Sequence, residues 1–363
     1  MWSVDNKTAY AAAGGWIRDR DGAEVWIVAI KATYDILPGG TLRLADAQVP
    51  VHRAALPQPG LQSLLSDTDL GPPRPATDVL LVGCAHAPSG EPVQELDVAW
   101  RVGPIKRRAR VVGDRSVGHG LLGGALGGWF AGLPRGTEAF ERMPLTWERA
   151  QVDADANPIG CGRTPGNDGR IALPNVMAPG RPVVLPGSSA RPIGFGPIAS
   201  HWQPRNRHGG TYDKHWQHTR SPLLPEDLDP RHWQCAVPEQ QAKPHLRGGE
   251  PVALMNLTPA GFAPDGRVAF TLPRLSLSFE TRFYDGSIER SRSVIHCVVL
   301  DTHDRPRLSV VHHMSLPCHP KVNLLDRTIV REKRRPLDRP WQANDAAAAA
   351  GAFDGLAGAV EAS

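Results

Sequence analysis

Apolar and polar positions alternate with a period of two in short runs near both ends of the chain. In 94–102 (QELDVAWRV), Leu96, Val98, Trp100 and Val102 fall on one side and Asp97 and Arg101 on the other, as in a half-buried strand. Residues 25–30 form an unbroken apolar run rich in β-branched and aromatic types, which predicts a buried strand. A turn at Pro38, Gly39 and Gly40 leads into a returning strand at 41–44, and Gly103-Pro104 joins 94–102 to 105–113 in a second hairpin. Further strands are predicted at 78–87, 251–257, 268–280, 293–301 and 307–314, with Asp265-Gly266 and residues 304–306 as turns.

Between these clusters the alternation stops. Residues 141–195 are broken by eight prolines, and 230–250 hold room for a short helical turn. The pattern predicts a mainly antiparallel β protein with few helices, arranged as two packed, sandwich-like lobes. The expected division is 1–140 for an N-terminal lobe, 141–340 for the irregular middle with a C-terminal lobe, and 341–363 for a mobile Ala/Gly-rich tail with little to bury. The glycines at 118–136 have membrane-helix spacing, but the stretch is too short to span a bilayer and reads as a loop.

Composition supports strands joined by turns: Gly at 37 and Pro at 35 make up about a fifth of the chain. The net charge of +4 is small for 363 residues and predicts neither a nucleic-acid nor a membrane partner. Five widely spaced cysteines without a CxxC suit free thiols in a reducing compartment, and with no signal-like N-terminus the expected location is the cytoplasm.

The stretch 194–229 has no regular period but concentrates rings and charge: Phe195, Trp202, Tyr212 and Trp216, four histidines, Arg205 and Arg207. Trp, Tyr and Arg dominate protein interfaces because they bury much area and keep a polar handle. Trp202, Arg205 and Arg207 are therefore the first candidates for a partner-binding surface. Tyr212 and Trp216 fit either that surface or a plug in the seam between lobes. Asp213, after Gly209-Gly210, is placed to cap local N–H groups.

A set of ordered phrases carries a family resemblance: KATYDI (31–36), ATDVLLVG (76–83), VVGDR (111–115), NPIGCG (157–162), FGPIASHWQPR (195–205), GTYDKHW (210–216), PLLPEDLD (222–229), LRGGEPVALMNLTPAG (246–261) and FTLP (270–273). Together they resemble the DUF2169 family from the N-terminus to about residue 320. That resemblance implies a non-enzymatic adaptor or chaperone of a type VI secretion system, which binds a toxic effector protein and helps load it onto the VgrG spike. Two departures stand out: MPLTWERA (143–150) runs into Gln151 rather than the family's Phe-Gly-Gly, and the 118–136 loop is expanded.

Two other classes are open. A metal-dependent hydrolase would centre on His208, His215 and His218, although no HExxH or cysteine pair supports it and no cofactor is expected. A carbohydrate-binding module would use Trp202 and Trp216 as stacking platforms. No G-x-S-x-G is present, Ser189 has no nameable partner, and Pro197 spoils a phosphate nest after Gly194-Phe-Gly196. Cys161 reads as a small buried thiol. Glu226, Asp227 and Asp229, and Asp67 with Asp69, are paired acids that a glycosidase would need to face each other across a cleft, which the sequence does not place, and PEDLD (225–229) reads better as a turn and helix cap.

Overall fold

In a computed structural model, which describes residues 2–118, 136–180, 191–263 and 265–333 together with Phe353 and Leu356, strands form where alternation predicts them. They run Glu24–Ile36, Leu42–Leu44, Thr77–His86, Glu95–Val102, Ile105–Val112, Pro251–Met255, Val294–Thr302 and Arg307–Pro317. The run 268–280 is instead split between two strands, Arg267–Thr271 and Leu277–Phe283. Pro273 has no N–H to give a ladder, and the Leu272 N–H donates to the Glu250 carbonyl at 2.8 Å just before it. Most of the glycine-rich stretch (119–135), the 186–189 turn and the remainder of 341–363 lie outside the described residues.

The protein is mainly β, built on three large sheets. The central one has eight strands. Its main path runs Arg142–Pro144, Thr77–His86, Val294–Thr302, Arg307–Pro317, Glu24–Ile36 and Ala11–Arg18. A five-stranded sheet orders Val176–Met177, Ile105–Val112, Glu95–Val102, Pro251–Met255 and Arg267–Thr271. A four-stranded sheet orders Ser3–Asn6, Leu325–Glu332, Leu277–Phe283 and Ile288–Ser291.

Both smaller sheets pack on one face of the central sheet. Val79, Leu81, Leu300 and Val310 meet Trp100, Val252 and Phe270 of the five-stranded sheet in the largest core. Trp26, Val28, Ile30 and Met314, on the same face of neighbouring strands, meet Phe279, Phe283 and Val330 of the four-stranded sheet. The arrangement is sandwich-like, but the expected division at residue 140 is corrected: all three sheets draw strands from both sides of it. The physical reason is the pairing of Thr77–His86 in parallel with Val294–Thr302, with Val79 beside Val298 and Leu81 beside Leu300. Local alternation fixes which residues form strands; burial across long sequence separations fixes which strands meet.

The opposite face of the central sheet is covered by irregular chain. Ala29, Leu80, Cys297 and Val311 pack under Val51, Leu70, Cys235 and Ala236. Polar groups pin this cover. Asp78, fully buried, pairs with Arg74 at 3.1 Å and accepts from Gln234 Nε2 at 2.5 Å and the Cys235 N–H at 2.8 Å. Arg74 donates its backbone N–H to His296 Nε2 at 2.7 Å, and His296 stacks on His313 with ring centroids 4.1 Å apart. Lys31 reaches Asp69 at 3.0 Å. The short helical turns expected in 230–250 form at Pro230–Trp233 and Pro238–Gln240.

All five cysteines are free. Burial pushes the Cys161 thiol up to about 11, as suits a packed rather than a reactive thiol. The tail expectation is corrected at two positions: Leu356 is fully buried and Phe353 half-buried on the outer face of the five-stranded sheet.

Candidate functional site

The ring-rich stretch divides into a buried half and an exposed half. Trp202 is only 4% exposed, with its ring edge-on to Trp147 at 5.9 Å in a small core with Ile198 and Ala150. Arg205 is also buried: it pairs with Asp67 at 2.9 Å and donates to the carbonyls of Ile198 at 2.7 Å and His232 at 3.0 Å. These two first-choice partner-binding candidates are therefore corrected to structural roles. An irregular segment has carbonyls that no ladder satisfies, and a guanidinium with five donors supplies bonds to several at once. Burial of Trp202 also removes one of the two platforms that a carbohydrate-binding module would need.

Tyr212 and Trp216 lie in the exposed half. Tyr212 is 56% exposed, and its ring meets Trp216 edge-on at 4.8 Å. Trp216 is half-buried and donates Nε1–H to the Leu223 carbonyl at 2.9 Å, which fixes the face it offers. It lies on the helix Lys214–Thr219, whose N-cap is Asp213; the Asp213 carboxylate accepts from the Trp216 N–H at 2.8 Å, as its place after the glycines predicts.

The rest of the loop is tied down by charge-assisted bonds. Thr211 gives both its N–H (2.9 Å) and its hydroxyl (2.7 Å) to Asp227. These bonds hold the Asp227 carboxyl below its ordinary range. Arg220 donates to the Leu224 carbonyl and reaches Asp21 at 2.6 Å, which locks the loop to the turn between Ala11–Arg18 and Glu24–Ile36. Gly210 has φ +81°, and a Cβ there would stand 2.7 Å from that of Pro225, so this tight crossing admits glycine alone. The outcome is a shallow cleft of about 240 Å³ floored by Trp216 and Pro225 and edged by His215, Arg220, Glu226 and Asp227. The sequence marks Asp227 as a turn and cap residue and places Thr211 in the GTYDKHW phrase, whereas Arg220 lies between the phrases and carries no sequence signal.

Arg207 is exposed but lines a different cleft, of about 240 Å³, with Arg107, Arg191, Trp147 and Glu239. Each histidine of the metal reading has its own surroundings. His218 Nδ1 bonds the Lys214 carbonyl of its own helix, His208 sits 3.8 Å from Asp229, and His215 edges the Trp216 cleft. Among the described residues no group of three or more His, Cys, Asp or Glu is placed to hold a metal ion. Asp67 and Asp69, weighed as catalytic acids, are both spent on buried cations.

Asp213→Ala should cost about 1 kcal/mol of local stability by removing the cap. The expected readout is amide exchange several-fold faster across 214–219 with the global unfolding midpoint unchanged; unaltered exchange would show that the cap holds nothing.

No helix among the described residues is long and apolar enough to cross a membrane. No curated protein and no solved structure matches the chain. A family model does: DUF2169, described as an uncharacterized protein conserved in bacteria, matches residues 21–313. The phrases that carried the resemblance lie at the centre of this architecture, with Lys31, Asp78 and Arg205 in its buried ion pairs and Asp213 and Asp227 in its loop anchors. The chain belongs to the DUF2169 family.

Proposed function

We propose that this protein is a cytoplasmic adaptor of a type VI secretion system, which binds a toxic effector protein and passes it to the VgrG spike without chemical turnover. The observation that carries the reading is the exposed Tyr212 ring, packed edge-on against Trp216 on a loop held by Asp213, Asp227 and Arg220. An exposed aromatic that rests on a half-buried one, next to the cleft-lining Thr211 and Asp213, offers contact area of the kind an interface anchor uses. Arg207, exposed beside a second cleft, adds a bidentate donor for an acidic group on the partner. Hand-over requires that the free effector be held more tightly than the spike-bound one, so that assembly itself shifts the equilibrium.

The test is co-expression with a toxin-domain product of a neighbouring gene, followed by affinity capture and titration. The unaltered chain is expected to give a stable complex and to raise effector yield. Tyr212→Ser combined with Arg207→Ser, both exposed and so neutral to folding, should weaken the complex about tenfold or more. An effector whose yield and capture do not depend on the adaptor would overturn the reading.

A further inference from the structure

We propose that the cleft shared by Arg107, Arg191 and Arg207 is a binding site for a carboxylate side chain carried on an extended segment of a partner protein. The inference rests on the reading of the chain as a binding protein and assigns the chemistry that its second cleft recognises.

Arg107 breaks the pattern of its own strand. In Ile105–Val112 it shares a face with Ile105, Ala109 and Val111, all buried in the largest core, and its cross-strand neighbour is the fully buried Trp100. Alternation along the strand calls for an apolar residue there. Instead, the Arg107 guanidinium lies 5.9 Å from the Phe195 ring centroid and lines a cleft of about 240 Å³. Its Nε–H is buried without an acceptor, and among the described residues no acid is paired with Arg107 or Arg207. Burial holds the Arg107 pKa below its ordinary value; Glu239 opposes that and Arg191 adds to it. A half-buried cation without a counter-charge lowers the stability of the free chain, and an anion entering the cleft would supply what it lacks.

The lining says which anion. Three guanidinium groups face a single carboxylate, that of Glu239. Arg191 holds Glu239 at 2.7 Å, so a carboxylate already sits in this field, and Arg107 and Arg207 are left for a second one. Much of the remaining wall is Pro192, Pro204 and Pro238, with Trp147. Prolines have no N–H and offer no backbone nest of the kind that cradles phosphate. Recognition falls to the guanidinium forks, which match a planar carboxylate with two parallel bonds. At about 240 Å³ the cleft is smaller than the roughly 300–1,000 Å³ of cofactor pockets, so it takes a side chain rather than a nucleotide. Apolar walls beside a cationic rim suit the methylenes and the carboxylate of a glutamate.

The probe is a fluorescein-labelled peptide of alternating leucine and glutamate, read by anisotropy against the full-length chain, with a leucine–glutamine peptide as control. The unaltered chain is expected to bind the glutamate peptide about tenfold or more tightly than the control. Arg107→Met should remove that preference without lowering the unfolding midpoint, because it takes a half-buried cation off a core face. Glu239→Gln should act in the opposite direction and tighten binding about threefold or more by releasing Arg191. Equal binding of the two peptides, or a glutamate preference that survives Arg107→Met, would overturn the proposal. So would displacement by inorganic phosphate or free glutamate as readily as by unlabelled peptide, since the site would then belong to a small oxyanion. An Arg107→Met chain that self-associates and still prefers the glutamate peptide would assign Arg107 to guarding a sheet edge instead. Should that variant fail to fold, Arg207→Ser and Glu239→Gln, both at exposed positions, carry the test. Loosening by the first together with tightening by the second supports the site, and failure of either removes it. No effector enters these measurements: if they fail, capture through Tyr212 still decides the adaptor reading, and if capture fails, the peptide result stands on its own.

Discussion

Replacing Asp78 with alanine is expected to lower the free energy of unfolding by about 3–5 kcal/mol, a large part of what holds a domain together. The carboxylate is fully buried and has three partners: Arg74 at 3.1 Å, Gln234 Nε2 at 2.5 Å and the Cys235 N–H at 2.8 Å. Its removal leaves the buried Arg74 guanidinium without its counter-charge and two donors without an acceptor, and each of these carries a desolvation cost that water cannot refund. The bonds to Gln234 and Cys235 are also what hold the irregular cover on the central sheet. The variant should therefore be cut faster by protease within 196–245 before it unfolds globally. Denaturant unfolding measures the first effect and mass-mapped proteolysis the second. A double change, Arg74→Met with Asp78→Leu, should recover part of the loss, because an apolar pair leaves no stranded charge. A loss below about 1 kcal/mol for Asp78→Ala would mean that the network is not the clamp described here.

How much of this was readable from residues alone differs between the scaffold and the site. Strands with strict alternation, such as Glu95–Val102, or with continuous apolar runs, such as Glu24–Ile36, announced themselves because one or both faces are buried. The strand Ala11–Arg18 did not, since AAAGG has little strand propensity. Its glycine is a packing requirement: a Cβ on Gly14 would lie 2.6 Å from the Trp26 ring, so the bulk that marks a strand sits on the partner instead. The lobes were misplaced because pattern is local and pairing is not, as the union of Thr77–His86 with Val294–Thr302 shows.

In the ring-rich stretch, composition could not separate surface from core. Trp and Arg serve both for the same reason, large area with a polar handle, and only the positions of Trp147 and Asp67 decide that Trp202 and Arg205 turn inward. Tyr212 stays out because Asp213 starts a helix immediately after it and that helix keeps Trp216, not Tyr212, against the loop.

Stability should fall steeply as the pH drops from 6.5 toward 4, before the carboxylates titrate. Burial holds His312 and His313 at about 4, and burial first, then the neighbouring His313 and Arg74, holds His296 well below its ordinary value. The unfolded chain binds a proton on each near pH 6.5, and the folded chain resists it. Above 6.5 both states are neutral and nothing is lost. Below it the unfolded state gains protons that the native state refuses, so stability declines until the folded groups titrate in turn. At pH 5 the loss is on the order of 2 kcal/mol each for His312 and His313, and His296 acts in the same direction. The geometry agrees with the sign: His296 Nε2 is already the acceptor for the Arg74 N–H at 2.7 Å, His313 stacks on it at 4.1 Å, and a proton there would face the Arg74 guanidinium with no acid in contact to offset it. Denaturant midpoints at pH 7.5, 6 and 5 measure the slope. His312→Leu should flatten it by one proton's share, since the other two rings keep their surroundings. Stability that is level between pH 7.5 and 5 would show that these rings are hydrated in solution and that the cover over the central sheet is looser than its hydrogen bonds imply.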